Sequence, residues 1–359
     1  MDNNTIVIGG GLFGLTTAIV LAENGICVTV LEKNMDVLKE ASLVNQNRIH
    51  YGYHYPRSKE TGQESIEGMD AFLKYYGDCI IDSFTKYYAI SKNNSHINAS
   101  EFIDFSKSLG IPLEEAWPDK NLLNRSIIEQ CWKVYEPAFD YQTLRVNILN
   151  RIRKLRNIRI LRNAGIVRID NLSDTNIAVT LHNDYVVRGK NLINATYSGL
   201  GDVLSMALDQ DLASKFQLLV LPILKTTKKI PMYGVTIMDG PFCSILPRGF
   251  VQGEYILSHV KESVLESDKG FKKPRWNVFD GRIESDIVEA CKTYFPVLED
   301  MTCVDSWITT KMILPNQEMD DARPTLIITH QKNIYSVFSG KVTTCVSAAN
   351  EILSKLIKS

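Results

Sequence analysis

The chain has 359 residues, enough for a large core and more than one lobe. Hydrophobic residues make up 45% and charged residues 23%, and the net charge of −1 gives no global pull toward nucleic acid. Seven scattered cysteines, odd in number and without a C-x-x-C pair, argue against a disulfide framework or a zinc site and point to a reducing, cytoplasmic setting.

The first predicted element is Thr5-Ile6-Val7-Ile8, a short apolar, β-branched run that reads as a buried strand. Gly9, Gly11 and Gly14 follow at the G-x-G-x-x-G spacing, and Leu12, Phe13 and the residues to 23 read as a buried helix. Glycine at these places permits a tight turn, a close approach of backbone to a pyrophosphate, and close packing of helix on strand. The N–H groups at the helix start then face the phosphates. Gly25 ends the helix, residues 27–31 form a second strand, and Glu32 closes it about twenty residues on, where a ribose hydroxyl is held. An acid there favours NAD or FAD over NADP. An ordinary βαβ turn is the bland alternative. Residues 6–22 are mostly apolar, but their three consecutive glycines and the acidic start argue against a signal or membrane segment.

A short helix is expected over 36–43. Then, from Arg48 to Ser58, two histidines, three tyrosines and two arginines fall within eleven residues. Loops beside a rigid nucleotide fold carry such chemistry; a tyrosine-rich packing loop is the alternative. Helices are expected over 59–76 and over 99–109, the latter with Ser100 as a cap, and a strand over 79–91. Residues 113–134 read as loosely helical. Asp140 can cap a helix over 141–155. The basic residues between Arg145 and Arg162 lack interleaved aromatics, which favours a solvated face over a phosphate or nucleic-acid site. Strands are expected over 157–161, 177–181, 185–187, 192–195, 216–225, 233–238, 242–246, 254–259, 303–313 and 334–338, with a helix over 281–294. Ser339-Gly340-Lys341-Val342-Thr343 turns into a C-terminal helix. Gly340-Lys341 is no P-loop, because Val342 stands in the Ser/Thr place.

In this order the motifs resemble the D-amino-acid oxidase family of FAD-dependent oxidoreductases. Asn47-Arg48-Ile49-His50-Tyr51-Gly52-Tyr53 is most similar to the loop of the L-2-hydroxyglutarate dehydrogenase branch, with its Ile-His-x-Gly core. Asn194-Ala195-Thr196 resembles the second flavin-contacting motif, with Tyr197 where glycine is usual. Arg323-Pro324 resembles the family's Arg-Pro element. Residues 339–343 resemble the turn placed against the flavin pyrimidine. Two departures stand out: the Asp-Gly-x-Pro segment after Arg-Pro is missing, and Lys341 replaces a small residue or His.

The resemblance implies an α/β fold: a Rossmann-like FAD-binding domain of the glutathione-reductase/para-hydroxybenzoate-hydroxylase kind, with a second, mainly antiparallel α+β substrate domain. The cofactor domain is expected over 1–77, 141–215 and 303–359, the substrate domain over 78–140 and 216–302. The implied cofactor is FAD and the implied partner a small-molecule substrate, with no metal, nucleic acid or membrane; nothing specifies an oligomeric state. Implied cofactor contacts are Gly9, Gly11, Leu12, Phe13, Gly14, Glu32, Lys33, Asn47, Arg48, Ile49, Val167, Ala195, Thr196, Ser339, Gly340, Lys341, Val342 and Thr343. The implied reaction is hydride transfer to the flavin from a C–H beside an amine or hydroxyl. Arg48 and His50 are the candidates beside the ring, His50 as base because its ordinary pKa lies near neutrality. Arg248 and Arg323 are candidates for a substrate carboxylate, since an Arg fork fits that geometry, and structural ion pairs are the alternative for both. An NAD-dependent dehydrogenase and a flavin-retaining protein without turnover remain as rival readings.

Overall fold

The structure is a computed structural model that describes residues 4–276, 282–313 and 324–358. The strand before the glycines, Asn4–Ile8, pairs in parallel with Cys27–Leu31 on one side and Asn191–Asn194 on the other. Its Ile6, Val7 and Ile8 run on without alternation because both faces are covered. Val7 meets the cluster built on the helix Leu12–Glu23, whereas Ile6 and Ile8 meet Ile169, Ile177 and Val179 of a three-stranded meander. The helix is buried nearly all round, since the C-terminal helix Cys345–Lys358 packs along it. The complete sheet has six strands, in the order Leu326–Gln331, Ile334–Phe338, Asn191–Asn194, Asn4–Ile8, Cys27–Leu31 and Ile158–Leu161. Only its outermost pair, Leu326–Gln331 with Ile334–Phe338, is antiparallel.

The second domain is built on a nine-stranded sheet whose long central strand is Ser214–Lys225. All its pairings are antiparallel except that of Tyr233–Met238 with Thr85–Ser91. The helix Ile283–Lys292 closes its core through Ile287 and Cys291. Thr302–Ile313 pairs along its length with Ser214–Lys225, so residues 303–313 belong to this sheet rather than to the cofactor lobe in which the sequence placed them. Among the described residues no helix is long and apolar enough to cross a membrane.

Three local expectations are corrected. Residues 36–43 form turns, not a helix: Leu38 N–H donates to Gly10 O at 2.9 Å, and Ser42 Oγ accepts Leu12 N–H at 2.9 Å. That segment lies across the glycine turn, and tertiary hydrogen bonds override its helix propensity. Residues 113–134 are chiefly extended, ending in the strand Ile128–Val134 against Thr85–Ser91. The cap of Ala99–Leu109 is Asn98 rather than Ser100: its side chain accepts Glu101 N–H at 3.0 Å while the Glu101 carboxylate accepts Asn98 N–H at 2.8 Å. The Asn-to-Glu spacing of a capping box was present in the sequence. The basic stretch serves the surface, where Arg145 pairs with Asp36 at 2.7 Å and Arg151 with Glu23 at 2.6 Å.

Candidate active site

The glycine turn is held by close approaches. Gly9 has φ +106°, and a Cβ there would stand 2.6 Å from Ala195 O. At Gly14 a Cβ would fall 1.9 Å from Gly9 O, so the absence of a side chain is what lets helix and turn approach this closely. Gly11 differs: a Cβ would meet only Ser42 Oγ, at 3.2 Å, and otherwise project into open space. Gly11, the N-cap residue of the helix behind it, has no side chain to cap with, and Ser42 Oγ takes the first N–H, that of Leu12. Two cavities adjoin the turn, of about 370 Å³ and about 250 Å³, and both are lined by Gly11, Ser42, Ala195 and Tyr197.

The smaller cavity takes in Gly9, Glu32, Lys33 and Thr196. Glu32 is buried and accepts Gly10 N–H and Asn34 N–H, each at 2.8 Å, which fixes its carboxylate at the strand end. Val167 lines neither cavity and its side chain is exposed, though its neighbour Ile166 reaches the smaller one. The larger cavity takes in Leu12, Phe13, Arg48, His50 and Ser339 to Val342. Asn47, Ile49 and Thr343 are buried but line neither. Asn47 Oδ1 and Thr343 Oγ1 have no hydrogen-bond partner among the described residues. A pair of cavities sharing a glycine turn, with a fixed carboxylate on the smaller one and open space at Gly11 between them, fits an extended dinucleotide. Tyr197, in the usual glycine place, has φ +54°, so its backbone adopts the left-handed form that glycine favours. Its hydroxyl accepts Met312 N–H at 3.2 Å.

Arg48 and His50 stand over a buried charge cluster that the sequence did not reveal. Ile49 N–H donates to Pro137 O at 3.0 Å and Phe139 N–H to Asn47 O at 2.8 Å, strapping the loop to residues 137–139. The strap carries Glu136 beneath it. Glu136 Oε2 lies 3.7 Å from Arg48 Nε and 3.9 Å from Lys86 Nζ, and His50 Nδ1 lies 3.6 Å from Oε1. Tyr88 Oη donates to the same carboxylate at 2.8 Å. Arg48 Nη2 donates to Thr236 Oγ1 at 2.9 Å, and its Nη1 lies 3.0 Å from His54 Nδ1. Burial alone would raise the Glu136 pKa, but Arg48, His50 and Lys86 outweigh it and hold the carboxyl down at about 2. Burial, helped by Arg48, pushes Lys86 well below the ordinary lysine range despite Glu136. His50 is pushed down to about 4, chiefly by burial against the pull of Glu136, and is therefore neutral at pH 7.

Exposure separates the members of this cluster: the side chains of Arg48, Lys86 and Glu136 are at most 2% exposed, that of His50 is 19%. His50 also contacts His54 and Tyr55, with ring centroids 5.2 and 5.5 Å away. Lys341 Nζ sits 4.9 Å over the Tyr55 ring and bonds Glu64 Oε2 at 3.0 Å and Thr61 O at 3.1 Å. Arg248 is spent elsewhere: it pairs with Glu254 at 2.9 Å, lies over Trp307, and lines neither cavity. Arg323 lies outside the described residues.

The comparisons agree with this fold. Glycine oxidase from Geobacillus kaustophilus superposes with a TM-score of 0.78 at 10% identity, over 99% of this chain and 95% of that one. The L-α-glycerophosphate oxidase of Mycoplasma pneumoniae, solved with FAD bound, does so at 0.78 and 15%, over 99% and 94%. In sequence, the FAD-dependent monooxygenase FPY4 of Fusarium mangiferae is 25% identical over 360 residues, 97% of this chain and 89% of its own. The family described as FAD dependent oxidoreductase matches residues 4–340, nearly the whole chain, and the protein with this glycine turn and paired cavity belongs to it as an enzyme that uses FAD.

Proposed function

We propose that the larger cavity oxidises a CH–NH or CH–OH bond of a small polar donor: an amino acid, a 2-hydroxy acid or a sugar-linked derivative. The observation that carries this reading is the place of His50, partly exposed above the buried Arg48–Lys86–Glu136 cluster, on the wall of the cavity that Gly11 also lines. Bound FAD supplies the hydride acceptor. His50, neutral at working pH, takes the N–H or O–H proton, and Glu136 beneath it favours the charged ring that results. Arg48 holds His54 and Thr236 in place and, with Lys341 and Lys311, puts cationic groups on the described lining, while the acids paired with Arg48 and Lys341, Glu136 and Glu64, stand behind it. Such a lining suits a substrate carboxylate and the negative charge gained at the cofactor. Glycine oxidase and glycerophosphate oxidase take an amine and an alcohol on this same fold, and the Ile49-His50-x-Gly52 similarity to L-2-hydroxyglutarate dehydrogenases supports a hydroxy acid as the second donor type.

His50→Asn tests the assignment. Anaerobic stopped-flow reduction of the FAD-loaded variant is expected to be roughly 10²–10⁴-fold slower than wild type. The acid limb of the wild-type profile, where His50 gains its proton near pH 4, is expected to vanish. Reduction at the wild-type rate across pH would end the general-base role. Lys341→Met is expected to lower the flavin reduction potential, because a buried positive charge beside the cavity is lost. The scale is about 30 mV for each ~1.4 kcal/mol of lost stabilisation, and equilibration with a reference dye measures it. An unchanged potential would remove Lys341 from the account.

A second reading comes from the full-length match to a named FAD-dependent monooxygenase. On that reading bound FAD would supply oxygen activation after reduction by an external two-electron donor such as a reduced nicotinamide, one oxygen atom going to the substrate and the other to water.

A further inference from the structure

A row of hydroxyl groups crosses the nine-stranded sheet. Tyr88, Thr236, Ser244 and Ser258 occupy matching register positions on four adjacent strands. Partners directly opposite one another in a sheet put their side chains on the same face, with Cα atoms about 4.5–5.5 Å apart in the antiparallel pairs. One end of the row is saturated. Tyr88 Oη donates to Glu136 at 2.8 Å, and Thr236 Oγ1 accepts from Arg48 at 2.9 Å and from Lys86 at 2.5 Å. The other end is not. Ser244 and Ser258 are each 7% exposed and both line the larger cavity. Ser258 Oγ accepts from Gln46 Nε2 at 2.6 Å, which leaves its own proton to give. Ser244 makes no side-chain hydrogen bond among the described residues, and the lining that holds the pair mixes Leu219, Leu221 and Phe242 with His259 and Ser263. Nearly buried hydroxyls gain little from water and need a partner.

We infer that Ser244 and Ser258, with Gln46 behind them, form a subsite that recognises a neutral hydrogen-bonding arm of the substrate, an amide, hydroxyl or carbonyl group. The inference rests on the reading that this cavity holds the oxidised donor. Hydroxyls give and accept, so they match a group that does both. A carboxylate or ammonium placed there gives up hydration for neutral partners only, and an alkyl arm leaves both hydroxyls unsatisfied. Of the lining cations that suit a carboxylate, Arg48, Lys311 and Lys341, Arg48 stands on the Thr236 side of Ser244, two strands from Ser258. The substrate is thus held with its acid toward the charged residues and its neutral arm on the serines.

The test uses FAD-loaded enzyme under anaerobic conditions. The probes are glutamine, glutamate and norleucine in both configurations, together with their 2-hydroxy acid counterparts. Perturbation of the flavin absorbance gives the dissociation constant, and bleaching gives turnover separately. The amide-bearing probe is expected to bind roughly 10- to 100-fold more tightly than the charged or alkyl one. Ser244→Ala and Ser258→Ala are each expected to narrow that gap, and the double variant to close it, with FAD content unchanged and norleucine bound no more weakly than by wild type. Equal affinity for the three arms in wild type, a gap that survives the double substitution, or no perturbation by any probe would each overturn the subsite. Preferential binding without bleaching would uphold the subsite while rejecting donor oxidation.

Discussion

Gly11→Val is expected to give folded, colourless protein. At this position φ is −78° and ψ −178°, extended backbone that any residue adopts. A Cβ meets nothing but Ser42 Oγ at 3.2 Å, so the chain tolerates the branch. The cavities do not, because Gly11 lines both and the new methyl groups enter the space between them. Two phosphate hydrogen bonds lost at roughly 1.5–3 kcal/mol each correspond to about a 10²–10⁴-fold loss of FAD affinity. Gly14→Val provides the contrast. Its Cβ collides with Gly9 O at 1.9 Å, so that variant loses the fold as well as the cofactor. Circular dichroism with a flavin assay separates the two outcomes. Gly11→Val protein that keeps stoichiometric FAD would contradict the placement of the pyrophosphate.

Glu136→Gln is expected to destabilise the fold strongly. The carboxylate is 1% exposed and faces Arg48 and Lys86, themselves 3% and 2% exposed. Its removal leaves two buried cations without a counter-charge, at a cost of about 3–5 kcal/mol. Lys86→Met in the same chain is expected to restore part of that loss. The cluster also sets the acid response. The Glu136 pKa falls from 4.5 to about 2 on folding, so its contribution is whole above pH 4.5 and lost as pH drops toward 2. The His50 pKa falls from 6.5 to about 4, so the unfolded chain takes that proton first and stability declines over that interval as well. Both shifts have the same sign, and denaturant unfolding between pH 7 and 3 should show falling stability throughout. The Gln variant should lose the lower part of that dependence. Flat stability in wild type would contradict the cluster as described.

What was legible in the sequence was local chemistry. Gly9, Gly11, Gly14 and Glu32 lie within one βαβ unit, and Asp140 caps its helix by accepting Thr143 N–H three residues on, at 2.7 Å. The strands Tyr233–Met238, Glu254–His259 and Ile334–Phe338 fall where their apolar, β-branched runs place them. Partners distant in the chain were not legible. A buried Arg48 demands a carboxylate, but the sequence holds 41 acidic residues and none near Arg48 is marked as its partner. Glu136 lay in a segment that signalled only a break, between Tyr135 and Pro137. The pair Ser244 and Ser258 became visible only with the strand register, since neither serine is unusual in its own strand. Arg248 shows the converse: a fork suited to a carboxylate is taken by Glu254, six residues on.

Anaerobic mixing of the FAD-loaded protein with the amino acid and hydroxy acid probes, with no nicotinamide present, tests the central claim most directly. Loss of the oxidised-flavin absorbance in a single turnover, faster with a neutral polar arm and slowed by His50→Asn, is the predicted result. A flavin that stays oxidised with every such donor and bleaches only when a reduced nicotinamide is added would contradict donor oxidation and favour the monooxygenase reading.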